Sequence, residues 1–174
     1  MRQADIELLL DHLFFVRDRV LAAAREAPDA LDDPAPPTIR DLHATLVHEV
    51  DVEWSWRDRL DSDHPAAFDD AEDELTVGDL PTIDAIETRW RIEETAMRDW
   101  VARLGDAGLE GPCDAESPGR HPMWFHVVHL YTHGIQQLAD AATLLTAAGR
   151  SPGELDFLDY VESREREGRP LGGA

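Results

Sequence analysis

The residues best suited to chemistry gather in positions 119–137, where His121, His126, His129 and His133 make up four of the eight histidines in a chain of 174 residues. If this stretch is helical, His126, His129, His133 and Gln137 fall within an arc of about 80°. Imidazoles on one helical face are how a bundle presents ligands to a metal. His129 and His133 are one turn apart, so their ring nitrogens can share one ion. An earlier helical stretch carries His43 and His48, and a bundle core can bring His48 across to meet the later pair. Three imidazoles leave positions for water or substrate, the arrangement of a catalytic metal rather than a closed structural one. Zinc, nickel, copper and iron all suit imidazole, and spacing does not choose among them. The same spacing also fits histidines that are packed and hydrogen-bonded without metal, and both readings stay open at this level.

Other candidates carry less. His12 and His43 read as surface or packing residues, and His64 and His121 sit in loop contexts. Trp54, Trp56, Trp90, Trp100 and Trp124 lie at apolar-face or helix-end positions and read as core rather than as a substrate platform. Cys113, the one cysteine, excludes an internal disulfide framework and a cysteine-based zinc site. It lies in a Gly-Pro loop with no evident base, which argues against a nucleophile. Asp61-Ser62-Asp63 looks like the opening of a calcium loop, but Ala66 stands where the turn glycine belongs. No Gly-rich phosphate loop or Gly-x-Ser-x-Gly elbow is present. The Glu-x-x-His pairs of di-iron bundles are missing too, since Thr45 precedes His48 and Leu130 precedes His133 at that spacing.

Charge narrows the function classes. The chain holds 37 Asp and Glu against 16 basic residues, all Arg, for a formal net charge of -21. So negative a field argues against a nucleic-acid partner, because neutralising phosphates needs a basic patch. Two origins compete for the acidity. A halophilic cytoplasm at molar salt screens repulsion to about 3 Å; alternatively, a GC-rich genome favours Arg, Ala, Asp and Gly codons without salt adaptation. No apolar run approaches the ~20 residues of a membrane span, and no signal-type N-terminus is evident. The expectation is a cytoplasmic protein.

Helical periodicity organises the rest. Ile6, Leu9, Leu10, Leu13, Val16, Val20 and Ala24 predict a helix over 2–27, ended by Pro28. Thr38 is a candidate N-cap for a second helix running to about Leu60. The acidic stretch 61–81 reads as a loop. Thr82 caps a third helix that Gly105 and Gly108 should stop. A fourth is expected from Pro122 to Gly149, and a short fifth from Ser151-Pro152. With no convincing strand alternation, the expectation is all-α, a four-helix bundle with a short additional C-terminal helix, in one domain over 1–167 with a frayed tail at 168–174.

Specific residues carry a resemblance. Thr45-Leu46-Val47-His48, followed by Glu53-Trp54-Ser55-Trp56 and Arg59-Leu60, resembles the second-helix signature of the DinB-like (YfiT-like) superfamily. Arg89-Trp90, the run from Pro122 through Trp124 to His133-Gly134, and 144–156 (Leu144-Leu145-Thr146 through Leu155-Asp156) continue it along essentially the whole chain. The resemblance implies a four-helix bundle, often a homodimer, with a divalent metal held by one histidine from the second helix and two, four apart, from the last long one. Relatives of this kind include metal-dependent transferases that use low-molecular-weight thiols. By position, His48 matches the first ligand and His133 the second. The third would sit at Gln137, and Leu138 replaces the Arg that usually follows. An amide oxygen is a weak ligand for a transition metal. His129 then supplies the missing nitrogen, or Asp140 a carboxylate, or the site has decayed to a bundle without metal. The implied function is a metal-dependent enzyme, with nickel or zinc, acting as a thiol S-transferase or related hydrolase on a small-molecule substrate. The alternative is a non-catalytic bundle, a small-molecule binder or stress-associated protein with a degenerate metal site.

Overall fold

The computed structural model describes residues 1–31, 38–61, 74–113 and 121–169. Five α-helices account for most of them: α1 (Gln3–Arg25), α2 (Leu42–Asp61), α3 (Ile83–Glu110), α4 (Met123–Ala147) and α5 (Phe157–Arg166), with a 3-10 turn at Pro28–Ala30. Among the described residues there is no strand, only an isolated antiparallel bridge between Pro112 and Pro122. It is flanked by Cys113 N–H on His121 O at 3.0 Å and Met123 N–H on Gly111 O at 2.9 Å. Among the described residues, no helix is long and apolar enough to cross a membrane.

Caps explain where the helices begin and where the sequence expectation slipped. α2 starts four residues after Thr38, because Asp41 rather than Thr38 provides the cap. Ala44 N–H donates to Asp41 Oδ1 at 2.7 Å, while the Thr38 hydroxyl turns to Arg40 O at 2.6 Å. Thr82 does cap α3, accepting from Ala85 N–H at 3.2 Å. That helix does not stop at Gly105. The glycine adopts φ 55°, a conformation open to it without a Cβ, and the helix resumes to Glu110 beyond the kink. α4 ends as expected, with Gly149 at φ 76° and Arg150 N–H on Leu145 O at 2.8 Å. α5 begins at Phe157, later than Ser151-Pro152, because Asp156 is the cap, accepting from Leu158 N–H at 2.8 Å.

α1 packs on α3 and α4, and so does α2, while α1 and α2 stand across the core from each other. That order puts α2 and α4 side by side, which is what a site built from His48 and His133 requires. Ile6, Leu10 and Leu13 of α1, Leu42 and Leu46 of α2, and Ile86, Trp90, Met97 and Trp100 of α3 fill the centre with almost no exposure. Trp90 and Trp100 lie in the core as expected, Trp56 and Trp124 are half-buried and pack against it, and Trp54 is half-buried.

Candidate functional site at the interface of two helices

Leu42, Leu46, Glu49, Glu53 and Leu60 share one stripe of α2, so two carboxylates stand where the apolar spacing calls for leucines. The structure buries them: Glu49 and Glu53 are each 1% exposed. Opposite Glu49, α4 offers Gly134. A Cβ there would fall 2.7 Å from Glu49 Oε1 and 2.8 Å from Leu13 Cδ1. The missing side chain therefore makes the room in which the carboxylate lies. Its other oxygen, Oε2, is 2.8 Å from His133 Nδ1. His48, the residue before Glu49, faces the same imidazole edge-on, with ring centroids 5.5 Å apart at 66°. His48 and His133 are thus brought together as expected, and Glu49 ties the second of them in place.

The buried charges form a chain behind this pair. Burial pushes both Glu49 and Glu53 well above the usual carboxylate range. Glu49 Oε1 and both oxygens of Glu53 are buried and make no hydrogen bond among the described residues. Burial of both carboxyls in one space favours their neutral forms. At Glu53 the charges of Glu49 and Glu93 add to the upward push of burial, and the Trp90 indole and Arg17 oppose it. Glu49 is joined to His133 by the 2.8 Å contact between Oε2 and Nδ1. When Nδ1–H donates to Glu49, Nε2 of His133 carries the lone pair, the arrangement in which a carboxylate orients a ligand imidazole.

Both imidazoles are held below the ordinary histidine range, first by burial and then by the positive field of Arg40. At His48 the neighbouring ring of His133 adds to that lowering, and Glu74 opposes it weakly. Neutral rings at neutral pH are the form that binds a metal or accepts a proton.

The other histidines separate from this pair. His12 is buried, donating through Nε2 to Leu155 O at 3.0 Å and accepting at Nδ1 from the Tyr131 hydroxyl at 3.1 Å. His43 donates to Leu80 O at 2.8 Å. Both are packing residues, and His64 lies outside the described residues. His129 is exposed. Its ring is 6.2 Å from that of His133 but closer, at 5.2 Å, to Trp56. With His126 it lines a surface groove of about 430 Å³ that also holds Trp56, Trp124, Phe125 and Thr132. Gln137 and Asp140 are half-buried one and two turns beyond His133. Among the described residues, no three His, Cys, Asp or Glu side chains converge to hold a metal ion. The donors in place are the two imidazoles, and they fit an ion that accepts nitrogen ligands, with the remaining positions left to ligands from outside the chain.

Sequence reasoning missed Glu49, Glu53 and the reason for Gly134. The signal was available as two acids on the apolar stripe of α2. The chain matches no protein-family model and no curated protein.

Proposed function

We propose that the chain is a DinB-like four-helix-bundle enzyme acting on a small molecule, with His48 and His133 as a two-imidazole centre for a divalent ion, nickel or zinc. The observation that carries this reading is the 2.8 Å hydrogen bond between His133 Nδ1 and the buried Glu49. A carboxylate in the core is costly, and its use here is to fix one imidazole with Nε2 free. When bound, the ion lowers the pKa of a coordinated thiol or water and so supplies an anionic nucleophile near neutral pH. Within the chain, Glu49 sets the tautomer of His133, burial keeps His48 neutral, and the groove beside Trp56 takes the apolar part of an electrophilic acceptor. The reaction class is transfer of a low-molecular-weight thiol, or the related hydrolysis.

A second reading, a small-molecule-binding bundle with a degenerate site, is favoured by one observation. Gln137 stands one turn beyond His133, and no third side-chain donor joins the pair among the described residues. Metal content of untagged protein equilibrated with zinc or nickel and then desalted separates the two. Near-stoichiometric metal, lost in His48→Ala and in His133→Ala, is the expected result. A metal-free protein with an unchanged melting temperature sinks the enzyme reading and leaves the binder.

A further inference from the structure

The guanidinium groups of this acidic chain mostly meet carboxylates: Arg17 meets Glu94 at 2.6 Å, Arg57 meets Glu93, and Arg98 meets Asp11 at 2.7 Å. Arg19 and Arg150 do not, and they stand together. Arg19 Nε donates to Pro152 O at 2.9 Å. Arg150 donates through Nε to Glu26 O and through Nη1 to Gly149 O, both at 3.2 Å. The two side chains therefore cross, one reaching from α1 to the turn after α4 and the other from that turn to the end of α1. Among the described residues neither forms an ion pair with a carboxylate.

Arg19 is held in place without being neutralised. Gly153, at φ 82°, lacks the Cβ that would run into Arg19 Nη2, and the centre of the Phe15 ring is 5.4 Å from the guanidinium carbon. With Ser151, the two arginines line an open groove of about 530 Å³ whose apolar wall is Ala22, Ala23 and Pro152. Ser151 Oγ accepts from Gly153 N–H at 3.2 Å, which leaves its hydroxyl proton to donate. Among the described residues Glu26 is the one acid in the groove wall, and it pairs with neither arginine. Tying the turn to α1 takes only part of a guanidinium's donors and none of its charge. The remaining donors and both charges are exposed, in a chain whose formal net charge is -21.

We propose that this groove is a second ligand site, which binds a phosphate group with Arg19 and Arg150 on its oxygens and the Ser151 hydroxyl as a further donor. Two guanidinium forks from different elements and a hydroxyl suit a tetrahedral group with several terminal oxygens and up to two charges, whereas a single carboxylate fills one fork. The acidity of the rest of the surface turns away a nucleic acid, so the phosphate is that of a small molecule or a free ion. The groove is remote from the histidine pair, since Gly149 lies roughly 24 Å beyond His133 at the rise of an α-helix. It is therefore independent of the reaction proposed there.

The test titrates inorganic phosphate, glycerol 3-phosphate and glycerol into the metal-free full chain near neutral pH. About 0.15 M KCl screens the general repulsion of the acidic surface beyond roughly 8 Å. The Nε–H resonances of Arg19 and Arg150 are followed by NMR. Both phosphates are expected to shift both resonances, with dissociation constants on the order of 1 mM, and glycerol to shift neither. Tighter binding of glycerol 3-phosphate assigns the site to an ester whose body lies along Ala22, Ala23 and Pro152; equal affinity assigns it to phosphate itself. Arg19→Gln and Arg150→Gln each keep a donor for the carbonyl and should weaken binding at least about tenfold, and Arg19→Lys should restore part of it. No shift by either phosphate, or binding that survives both Gln variants, would overturn the proposal. The wild-type titration decides even if a variant fails to fold. Phosphate binding without metal uptake keeps this site and discards the metalloenzyme, and metal uptake without phosphate binding does the reverse.

Discussion

Glu49 and His133 are joined by a 2.8 Å hydrogen bond that crosses from α2 to α4, and the space for it exists because the residue after His133 is Gly134. The carboxylate occupies the volume a side chain would need, so helix approach, charge burial and imidazole orientation are one arrangement. A buried polar pair that only stabilised the fold would be poorly placed here, since replacing such a pair by apolar residues is often neutral or stabilising. The histidine gains an orientation that a leucine at position 49 could not give it.

Gly134→Ala should therefore act on the site more than on the fold. The added methyl meets the flexible ends of Glu49 and Leu13, which can shift without moving backbone. Alanine also gains up to about 1 kcal/mol of helix propensity over glycine. Overpacking of this kind costs on the order of 1–3 kcal/mol, so net stability should fall by about 1 kcal/mol. Displacing Glu49 should release the Nδ1 proton of His133, and zinc affinity should fall about 10- to 100-fold. Urea denaturation and NMR of the histidine N–H protons report the two effects separately. A variant that is more stable and keeps the His133 signal would show that Glu49 is not held against α4.

Glu53 should make stability depend on pH in a definite sense. Its folded-state pKa lies well above the ordinary Glu value through burial, the charge of Glu49 and that of Glu93, with the Trp90 indole and Arg17 opposing. A group raised on folding contributes stability fully present below its unfolded pKa and lost as pH rises toward the folded value. Glu53→Gln keeps the side-chain shape and has no proton to lose. The variant should match the wild type near pH 4.5 and exceed it by at least about 1 kcal/mol at pH 8, since a tenfold difference in proton affinity between the folded and unfolded chain corresponds to about 1.4 kcal/mol. Urea midpoints across that range give the comparison. A difference that does not change with pH would mean that Glu53 is ionised in the native state.

Much of this was legible in the chain, and the exceptions have physical reasons. Apolar spacing placed α1, α2, α3 and α4 within a few residues because burying a stripe dictates it. The errors fell at ends, where a better cap a few residues on decides: Asp41 over Thr38, and Asp156 over Ser151. His48 and His133 were singled out by residue type, spacing and the family resemblance, and their meeting followed once α2 and α4 were neighbours. Glu49 escaped notice because a helical wheel reads an isolated acid as solvated. Only the neighbouring helix, with glycine at the facing position, shows that this one points inward.

The third position on α4 is the sharpest test of how the site is completed. His129 lies one turn before His133 but is exposed beside Trp56 in the groove, so His129→Ala should change zinc affinity less than about threefold, within what loss of a non-ligand histidine allows. Gln137 is one turn after His133 and half-buried on the same face. Gln137→His puts two imidazoles at the i, i+4 spacing that shares an ion and adds His48 from α2. Its zinc affinity should rise at least about tenfold over the wild type, measured by competition with a chromogenic chelator. Should His129→Ala abolish binding while Gln137→His leaves it unchanged, the ring of His129 swings out of the groove to complete the centre, and Trp56 is then the residue that stores it in the free protein.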